Sequence, residues 1–370
     1  MARSQRIVGI DLGTTHTVVA WADAARGAQA VVFAIPQLVS PQEIDRLALL
    51  DSALYAPIGA ESPADPWSDA PWIVGQLARK RGSEVAGRLV ASAKSWLCHG
   101  GVDRLAAILP WGLPEEDTTT PRISPVDASA RVLRHVARSW DDAFPEHPLA
   151  QQIVILTVPA SFDDASRELT LKAAQDAGLN VRLLEEPQAA FYDYMRRAGD
   201  QGMRDLLARS DRGALVLVCD VGGGTTDLSL IRVSPPAAQN SPAHSGFDVS
   251  RVAVGQHLLL GGDNMDLAIA HACESRMIAP PGRLDPARFG QLVLACRRAK
   301  ETLLSGEQAP ESIKVSVAGV GSRLVGSTLS AELHRHEVES IVLQGFFPDS
   351  PRDARPRRVR GALEIGRAHV

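Results

Sequence analysis

Two short segments, one in each half of the 370-residue chain, constrain what this chain can fold into. The first reads IVGIDLGTTHTVVAW over residues 7–21, and the second reads VLVCDVGGGTTDLSLI over residues 216–231. In both, an apolar run ends at an aspartate, glycine and threonine follow, and apolar residues then resume. Two apolar runs separated by a glycine-containing bend are typical of a β-hairpin. The sequence therefore predicts two hairpins with the same chemistry at their tips.

That chemistry favours a phosphate bound together with a metal ion. Glycines at a bend leave backbone N–H groups open to phosphate oxygens because no Cβ stands in the way, and threonine hydroxyls add donors. Asp11 and Asp220, at the ends of the first strands, are suited to hold hydrated Mg²⁺, which neutralises phosphate charge. Two such hairpins facing each other across a cleft would hold a triphosphate from both sides. The pattern is neither a Walker loop nor a Rossmann fingerprint, since the glycines lie between two strands.

The length predicts about two domains. A β–β–β–α order occurs twice, which indicates two similar lobes joined near residues 200–213. The continuous apolar run at 151–159 predicts a strand buried on both faces. Helical patterns predict helices over 73–81, 84–97, 127–143, 263–277, 285–305 and 330–343. Composition predicts irregular structure over 36–71 and a loop insertion over 234–246, and a short β run is predicted over 323–325.

Five segments resemble, in order, the successive motifs of the ATPase domain of the heat-shock protein 70 (DnaK-type) chaperones: GIDLGTTHTVV, LTVPASFDDASRE, LLEEPQAAFYDY, VCDVGGGTTDLSL and LLLGGDNMDLAIA. The resemblance covers about residues 5–340. It implies the α/β, actin-like ATPase (ribonuclease H-like) fold, with two lobes flanking a nucleotide cleft. It also implies binding and hydrolysis of ATP, with ATP/ADP and Mg²⁺ as cofactors and K⁺ as a further cation.

The resemblance implies the following division of the chain. Lobe I spans 1–200, with a core subdomain over about 1–38 and 125–200 and a peripheral subdomain over about 39–124. Lobe II spans 201–345, with a core over about 213–258 and 311–345 and a peripheral subdomain over about 259–310. Residues 346–370 are Arg-rich and punctuated by proline, and we expect them to be disordered. The last seven, EIGRAHV, are compatible with a translated sequencing adapter, and we expect the natural protein to be longer.

The resemblance also assigns roles to residues. Asp11 and Asp220 match the aspartates that position Mg²⁺, mainly through its water shell. Catalytic roles fall on four residues: Lys94, Glu186, Asp227 and Thr225. Nucleotide-binding roles fall on Asp11, Gly13, Thr14, Thr15, Asp220, Gly222, Gly223, Gly224, Thr225, Gly261, Gly262 and Lys300. Lys80 is the alternative to Lys94. Pro159 and Arg167 match residues that couple the nucleotide state to domain docking.

Four positions depart from the family pattern. Arg297 stands where the family usually has glutamate, Glu301 where it has arginine, and Leu304 where it has serine. These substitutions put the usual contacts to base and ribose in doubt. His16 stands where asparagine is usual.

Composition limits the partners. The net charge of −4 gives no argument for nucleic acid or an anionic membrane. The longest apolar runs are far shorter than a membrane span, and residues 1–6 contain no signal-peptide pattern. The four cysteines lack metal-site spacing. We therefore expect a cytoplasmic protein, and by resemblance a J-domain co-chaperone, a nucleotide exchange factor and, through a peptide-binding domain absent from this sequence, unfolded peptide clients.

The sequence leaves two other functions open. One is an actin-like nucleotide sensor or scaffold that does not hydrolyse ATP, which the altered helix around Arg297 favours. The other is an actin-like sugar kinase, against which the segments VPASF and EEPQAA argue. ATP binding without turnover would favour the sensor, and phosphate transfer to a sugar would favour the kinase.

Overall fold

The computed structural model describes residues 5–24, 29–58, 65–85, 87–111, 113, 116–208, 213–235, 247–255, 258, 260–318 and 328–355. The predicted loop at 234–246 and the predicted tail lie largely outside these residues, and the predicted β run at 323–325 lies wholly outside them. No helix in the described part of the chain is long and apolar enough to cross a membrane.

The first half contains eleven strands and five helices among its described residues. The strands are β1 (Arg6–Leu12), β2 (His16–Asp23), β3 (Val31–Val32), β4 (Ile35–Ser40), β5 (Glu43–Leu47), β6 (Leu50–Asp51), β7 (Leu54–Tyr55), β8 (Ile73–Val74), β9 (Leu89–Val90), β10 (Ile153–Val158) and β11 (Val181–Glu185). The helices are α1 (Gln76–Glu84), α2 (Ala93–Leu97), α3 (Pro125–Ala143), α4 (Asp164–Asp176) and α5 (Glu186–Leu207).

The main sheet of this half has the strand order β11-β10-β1-β2-β3, and β6 also pairs with β2. Strand β1 is antiparallel to β2 and parallel to β10, which is parallel to β11. The carboxyl ends of β1, β10 and β11 therefore meet at one edge of the sheet, where ligands bind in open α/β sheets. The predicted strand at 151–159 is confirmed as β10, but its burial on both faces is not: Val154, Leu156 and Val158 are buried, whereas the alternate residues are half-buried.

Helix α3 covers this sheet and anchors its core. It starts where Ser124 accepts a hydrogen bond from the N–H of Asp127 and Pro125 occupies the first turn. Its Trp140 is fully buried and packs against Phe33, Phe144 and Trp21. Aromatic contacts of this kind contribute about 0.5–1.5 kcal/mol each beyond the area they bury. The prediction of a helix over 127–143 is confirmed.

The segment 36–71 differs from the prediction of irregular structure. It contains β4 to β7, and β4 pairs with β5 while β7 pairs with both β8 and β9. These strands are short, and β5 exposes four of its five residues, so apolar alternation is weak there. The helix predicted over 73–81 is shifted along the chain, because β8 occupies Ile73–Val74 and α1 runs over Gln76–Glu84. The helix predicted over 84–97 is reduced to α2, because the chain forms β9 before it.

The second half contains five strands and three helices among its described residues. The strands are β12 (Ala214–Val221), β13 (Thr226–Ser234), β14 (Asp248–Val254), β15 (Ser312–Ala318) and β16 (Thr328–His334). The helices are α6 (Gly262–Met277), α7 (Pro286–Leu303) and α8 (Arg335–Glu339), and α8 leads into a π-helical segment over Ser340–Phe346.

Two hydrophobic clusters stabilise the described part of this half. In one, Phe191 and Met203 of α5 pack against Ile231 and Val233 of β13. The other joins α6, α7, β15, β16 and α8 through buried apolar residues. The predicted helix over 330–343 is wrong in its first part, because β16 pairs with β15 over Thr328–His334. The burial of alternate residues such as Ala331 and Leu333 is the period of a strand, and this alternation is too short to stand out in the sequence.

Candidate functional site

The two predicted hairpins have the same backbone register. In the first, Asp11 lies two residues before a turn closed by a 3.1 Å hydrogen bond from the N–H of Gly13 to the carbonyl of His16. In the second, Asp220 lies two residues before a turn closed by a 2.8 Å bond from the N–H of Gly222 to the carbonyl of Thr225. Each aspartate therefore occupies the same position at the tip of its hairpin.

The tips of the two hairpins touch. A Cβ built on Gly223 would collide with Oγ1 of Thr15. A Cβ on Gly224 would lie 3.0 Å from Cγ2 of Thr14 and 2.8 Å from Oγ of Ser95. Only glycine allows the second hairpin to approach the first this closely. The convergence that the sequence predicted is thus present, between residues about two hundred positions apart.

The hairpins line one cavity of about 260 Å³, here called the hairpin cavity. Its lining residues are Asp11, Gly13, Thr14, Thr15, His16, Val18, Lys94, Ser95, Cys98, Pro159, Phe162, Glu186, Asp220, Gly222, Gly223 and Thr225. Ten of the residues predicted from the sequence are therefore brought together: Asp11, Gly13, Thr14, Thr15, Lys94, Glu186, Asp220, Gly222, Gly223 and Thr225.

Charge in the cavity is unbalanced. Among the described residues, three carboxylates line it, those of Asp11, Glu186 and Asp220, and Lys94 supplies the one ammonium. Nζ of Lys94 donates to Oε1 of Glu186 at 2.5 Å. Oδ1 of Asp11 accepts a 2.9 Å hydrogen bond from Oγ1 of Thr157. The surplus of negative charge favours a bound cation.

The pKa values respond to this crowding. Burial opposes the charged form of Lys94, but the charges of Glu186, Asp11 and Asp220 outweigh it and raise its pKa. Burial raises the pKa of Glu186, Lys94 opposes that shift, and the two aspartates add to it. Burial and the charge of Asp11 raise the pKa of Asp220. At neutral pH Lys94 is therefore a fixed positive charge. The raised pKa values of Glu186 and Asp220 mean that their environment disfavours the negatively charged form of each carboxyl group.

The donor set fits a metal-bound phosphate. Among the described residues, no group of three or more His, Cys, Asp or Glu side chains is arranged to hold a metal ion directly. Carboxylates at the cavity edge fit Mg²⁺ that keeps most of its water shell. The hydroxyls of Thr15 and Ser95 are buried without a hydrogen-bond partner in the described structure. Such unsatisfied buried donors favour an oxygen-rich ligand beside them.

Five predicted residues lie outside the lining of the cavity. Gly224 is at the contact with Thr14, as described above. Asp227 is buried opposite Asp220 in the β12–β13 pair and accepts a 2.7 Å hydrogen bond from Ser161. Gly261 and Gly262 begin α6, and the N–H of Gly262 donates to the carbonyl of Gly222 at 3.0 Å. A Cβ on Gly261 would lie 2.6 Å from the carbonyl oxygen of Gly223. These glycines hold α6 against the second hairpin.

Lys300, the fifth, belongs to an ion network between α6 and α7. Its Nζ lies 2.7 Å from Oδ1 of Asp266, which is fully buried. Nε of Arg297 lies 2.7 Å from Oδ2 of the same Asp266, and its Nη2 pairs with Asp263. Oγ of Ser92, in the first half, donates to Asp263 at 3.0 Å. The arginine that departs from the family pattern is thus held by two aspartates.

Other parts of the site were not predicted. Thr157 could have been found, because it lies at the carboxyl end of a strand parallel to β1. Ser161 lies in the quoted motif LTVPASFDDASRE, but the sequence does not indicate the contacts of Ser161, Ser95 or Ser92, since these are with residues distant along the chain. Pro159 lines the cavity, whereas Arg167 donates to Glu185 at 2.9 Å.

Comparison with known proteins defines the class. The family model described as Hsp70 protein matches residues 113–347, and the chain belongs to this family, whose nucleotide-binding domain has the actin-like ATPase fold of two lobes. Among curated relatives, the Chaperone protein HscA homolog of Bordetella pertussis is 31% identical over 98% of this chain and 52% of its own length. The homolog of Burkholderia orbicola is 30% identical with the same coverage.

The homolog of Pseudomonas aeruginosa is 32% identical over 87% of this chain and 45% of its own length. The chain therefore spans about half the length of the curated relatives that it matches. Its resemblance to the Hsp70 ATPase domain, carried in the sequence by five motifs, is confirmed.

Proposed function

We propose that this chain binds and hydrolyses ATP with Mg²⁺ as the nucleotide-binding domain of an Hsp70-like chaperone. The observation that carries the proposal is the convergence of two matched Asp–Gly hairpins on one cavity that also contains the Lys94–Glu186 pair. Members of the family are ATPases. The predicted division into lobe I over 1–200 and lobe II over 201–345 is part of this proposal.

The proposed chemistry divides among the residues of the cavity. Mg²⁺ supplies the charge that neutralises the phosphate oxygens, and Asp11 and Asp220 would hold it through its water shell. Backbone N–H groups at the two turns and the hydroxyls of Thr14, Thr15 and Thr225 would orient the phosphates.

Lys94 would stabilise the charge that develops as phosphate is transferred. Glu186 accepts its hydrogen bond and so fixes the position of the ammonium. Glu186 and Asp227 are the two carboxylates proposed to orient the attacking water or accept its proton, and the division between them is left open. Lys300 and the glycines of α6 would support the nucleoside side of the cleft.

We extend the proposal to the chaperone cycle by family membership. Hydrolysis would control a peptide-binding domain, a J-domain co-chaperone would stimulate turnover, and an exchange factor would release ADP, in the cytoplasm. The relatives are described as chaperones, and this chain spans about half their length. These partners are therefore proposed for the longer protein.

Turnover of purified protein tests the proposal. Asp11→Asn and Asp220→Asn should each lower Mg²⁺-dependent phosphate release at least about tenfold, because one anionic partner of the metal shell is lost. Asp176→Asn is the matched control, because Asp176 lies on the exposed end of α4 and pairs with Lys172. Wild-type turnover in both cleft variants would contradict the site assignment.

A nucleotide sensor that does not hydrolyse ATP is the second candidate. It is favoured by Arg297, which pairs with Asp263 and Asp266 at a position where the family usually has glutamate. Tight ATP binding with no phosphate release from wild-type protein, in the presence of Mg²⁺, would select the sensor over the ATPase.

A further inference from the structure

A second cavity, of about 390 Å³, lies between α1 of the first half and α7 of the second. It adjoins the hairpin cavity, because Thr15 and His16 line both. We call it the α1–α7 cavity. Its lining residues are Thr15, His16, Asp51, Gln76, Arg79, Lys80, Leu294, Arg297, Arg298 and Glu301.

The α1–α7 cavity carries an excess of positive charge. Four cationic side chains line it, those of Arg79, Lys80, Arg297 and Arg298, against the two carboxylates of Asp51 and Glu301. Burial lowers the pKa of His16, so this residue adds no charge at neutral pH. Among the lining side chains the formal surplus is therefore two positive charges, which raises the local concentration of anions. Asp263 and Asp266, which pair with Arg297, lie outside the lining.

Two contacts hold the guanidinium of Arg79 in place, and one of its nitrogen donors lacks an acceptor. The residue is only 9% exposed, its Nε pairs with Asp51, and its Nη2 donates to the carbonyl of Thr15 at 3.0 Å. Its Nη1 is buried and has no hydrogen-bond partner in the described structure. A buried charged donor without an acceptor is costly, and an anion in the cavity would satisfy it.

Arg297 presents a second guanidinium to the same cavity from the other half of the chain. Asp266 and Asp263 bind its Nε and Nη2 and so orient the group. Burial lowers the pKa of Arg297 to about 10, and the nearby charge of Arg79 contributes to that shift. The two arginines therefore repel each other across the cavity, and an anion between them would be attracted by both guanidinium groups and offset this repulsion.

Two exposed cations complete the lining. Lys80 and Arg298 are exposed, and neither forms an ion pair within the described residues; Nη2 of Arg298 donates to Oγ of Ser83 at 3.4 Å. Each can therefore turn towards a bound anion without giving up a carboxylate partner. Two fixed guanidiniums with two further cations beside them match a phosphate group better than a carboxylate, because phosphate offers three oxygens and about two charges.

We propose that the α1–α7 cavity binds a phosphate group. Two sources have this chemistry: inorganic phosphate, or the 2′- or 3′-phosphate of a nucleotide whose diphosphate lies in the adjoining hairpin cavity. The nucleotide source rests on the proposed function, since it needs a nucleotide in the cleft, whereas the inorganic source does not. By joining Arg79 of the first half to Arg297 of the second, the anion would also hold the two halves together.

Isothermal titration calorimetry of the 370-residue chain at low ionic strength tests this. The probes are ADP, ADP carrying a 2′- or a 3′-phosphate, and inorganic phosphate alone. The test variant is Lys80→Gln with Arg298→Gln, which changes only exposed side chains. The control is Lys172→Gln with Arg288→Gln, which removes the same charge from side chains that do not line the cavity.

If the nucleotide is the source, one of the phosphorylated forms should bind about tenfold more tightly than ADP, and the gain should be lost in the test variant and kept in the control. If the source is inorganic phosphate, phosphate alone should bind to the wild type and the control and about tenfold more weakly to the test variant. No gain and no phosphate binding, or equal values in test and control variants, would overturn the proposal. Failure of the proposed function is separate, because it would appear as no binding of ADP itself.

Discussion

Gly223 and Thr15 lie so close that any side chain at Gly223 would meet the hydroxyl of Thr15. The two residues come from different halves of the chain, and both line the hairpin cavity. Their contact fixes the distance between the two turns, and with it the size of ligand that both turns can hold at once.

Replacing Gly223 should therefore weaken nucleotide binding. We expect Gly223→Ala to lower ADP affinity at least about tenfold, because overpacking costs about 1–3 kcal/mol and would push the hairpins apart. Calorimetric titration with ADP and Mg²⁺ measures the effect. Gly290→Ala, in α7 where a Cβ meets nothing within 4 Å, is the control and should bind ADP like the wild type. Equal affinities in both variants would show that the contact does not shape the site.

Lys94 should be needed for turnover more than for binding. We expect Lys94→Met to reduce kcat about 100-fold or more, because the role proposed for its charge is to stabilise the phosphate during transfer, and no other ammonium lines the cavity among the described residues. Single-turnover phosphate release measures the loss, and ADP titration separates it from binding. Lys172→Met, in which an exposed lysine on α4 is lost, should keep the wild-type rate. An unchanged rate for Lys94→Met would favour Lys80 as the catalytic lysine instead.

The negative charge of Asp220 should lower the free energy of unfolding when no ligand is bound, by an amount that depends on pH. Burial and the charge of Asp11 raise its pKa in the folded protein above the unfolded value. The folded state then binds more protons than the unfolded state between the two values, so stability falls as pH rises through this window. We expect Asp220→Asn to be more stable than the wild type at pH about 8, by about 0.5–1 kcal/mol given its partial exposure.

That gain should shrink as the pH falls below the folded-state pKa of Asp220, since both forms are then neutral at this position. Urea unfolding without nucleotide or Mg²⁺, at several pH values, measures it. Asp176→Asn, at an exposed carboxylate, should show no such trend. A difference in stability between Asp220→Asn and wild type that stays constant at all pH values would contradict the raised pKa of Asp220.

Trp140 should be the main anchor of the first half. It is fully buried against Phe33 and Phe144, and we expect Trp140→Leu to cost about 3 kcal/mol in the free energy of unfolding. Trp111→Leu is the matched control, because Trp111 is 55% exposed and should change stability by less than about 1 kcal/mol. Urea unfolding followed by far-UV circular dichroism compares them. Equal shifts would mean that the core lies elsewhere.

The sequence by itself determined the local chemistry of this protein. An apolar run, an aspartate, a glycine bend and a second apolar run together indicate a hairpin, because each of these signals lies within a few residues of the others. Asp11, Asp220 and the glycines beside them are therefore identifiable from the residues alone, as are the buried strand β10 and the helix α3. The short strands between Ile35 and Tyr55 are not, because two-residue strands and exposed faces leave too little periodicity to detect.

Only the tertiary structure decided which side chains meet. Nothing local to Lys94 indicates that its partner is Glu186, and nothing local to Arg297 indicates that Asp263 and Asp266 bind it. These contacts join residues that are far apart along the chain, and they depend on how the two halves pack. The packing of the two halves also places Arg79 and Arg297 on one cavity, and nothing in the sequence around either residue indicates that the two charges lie close together.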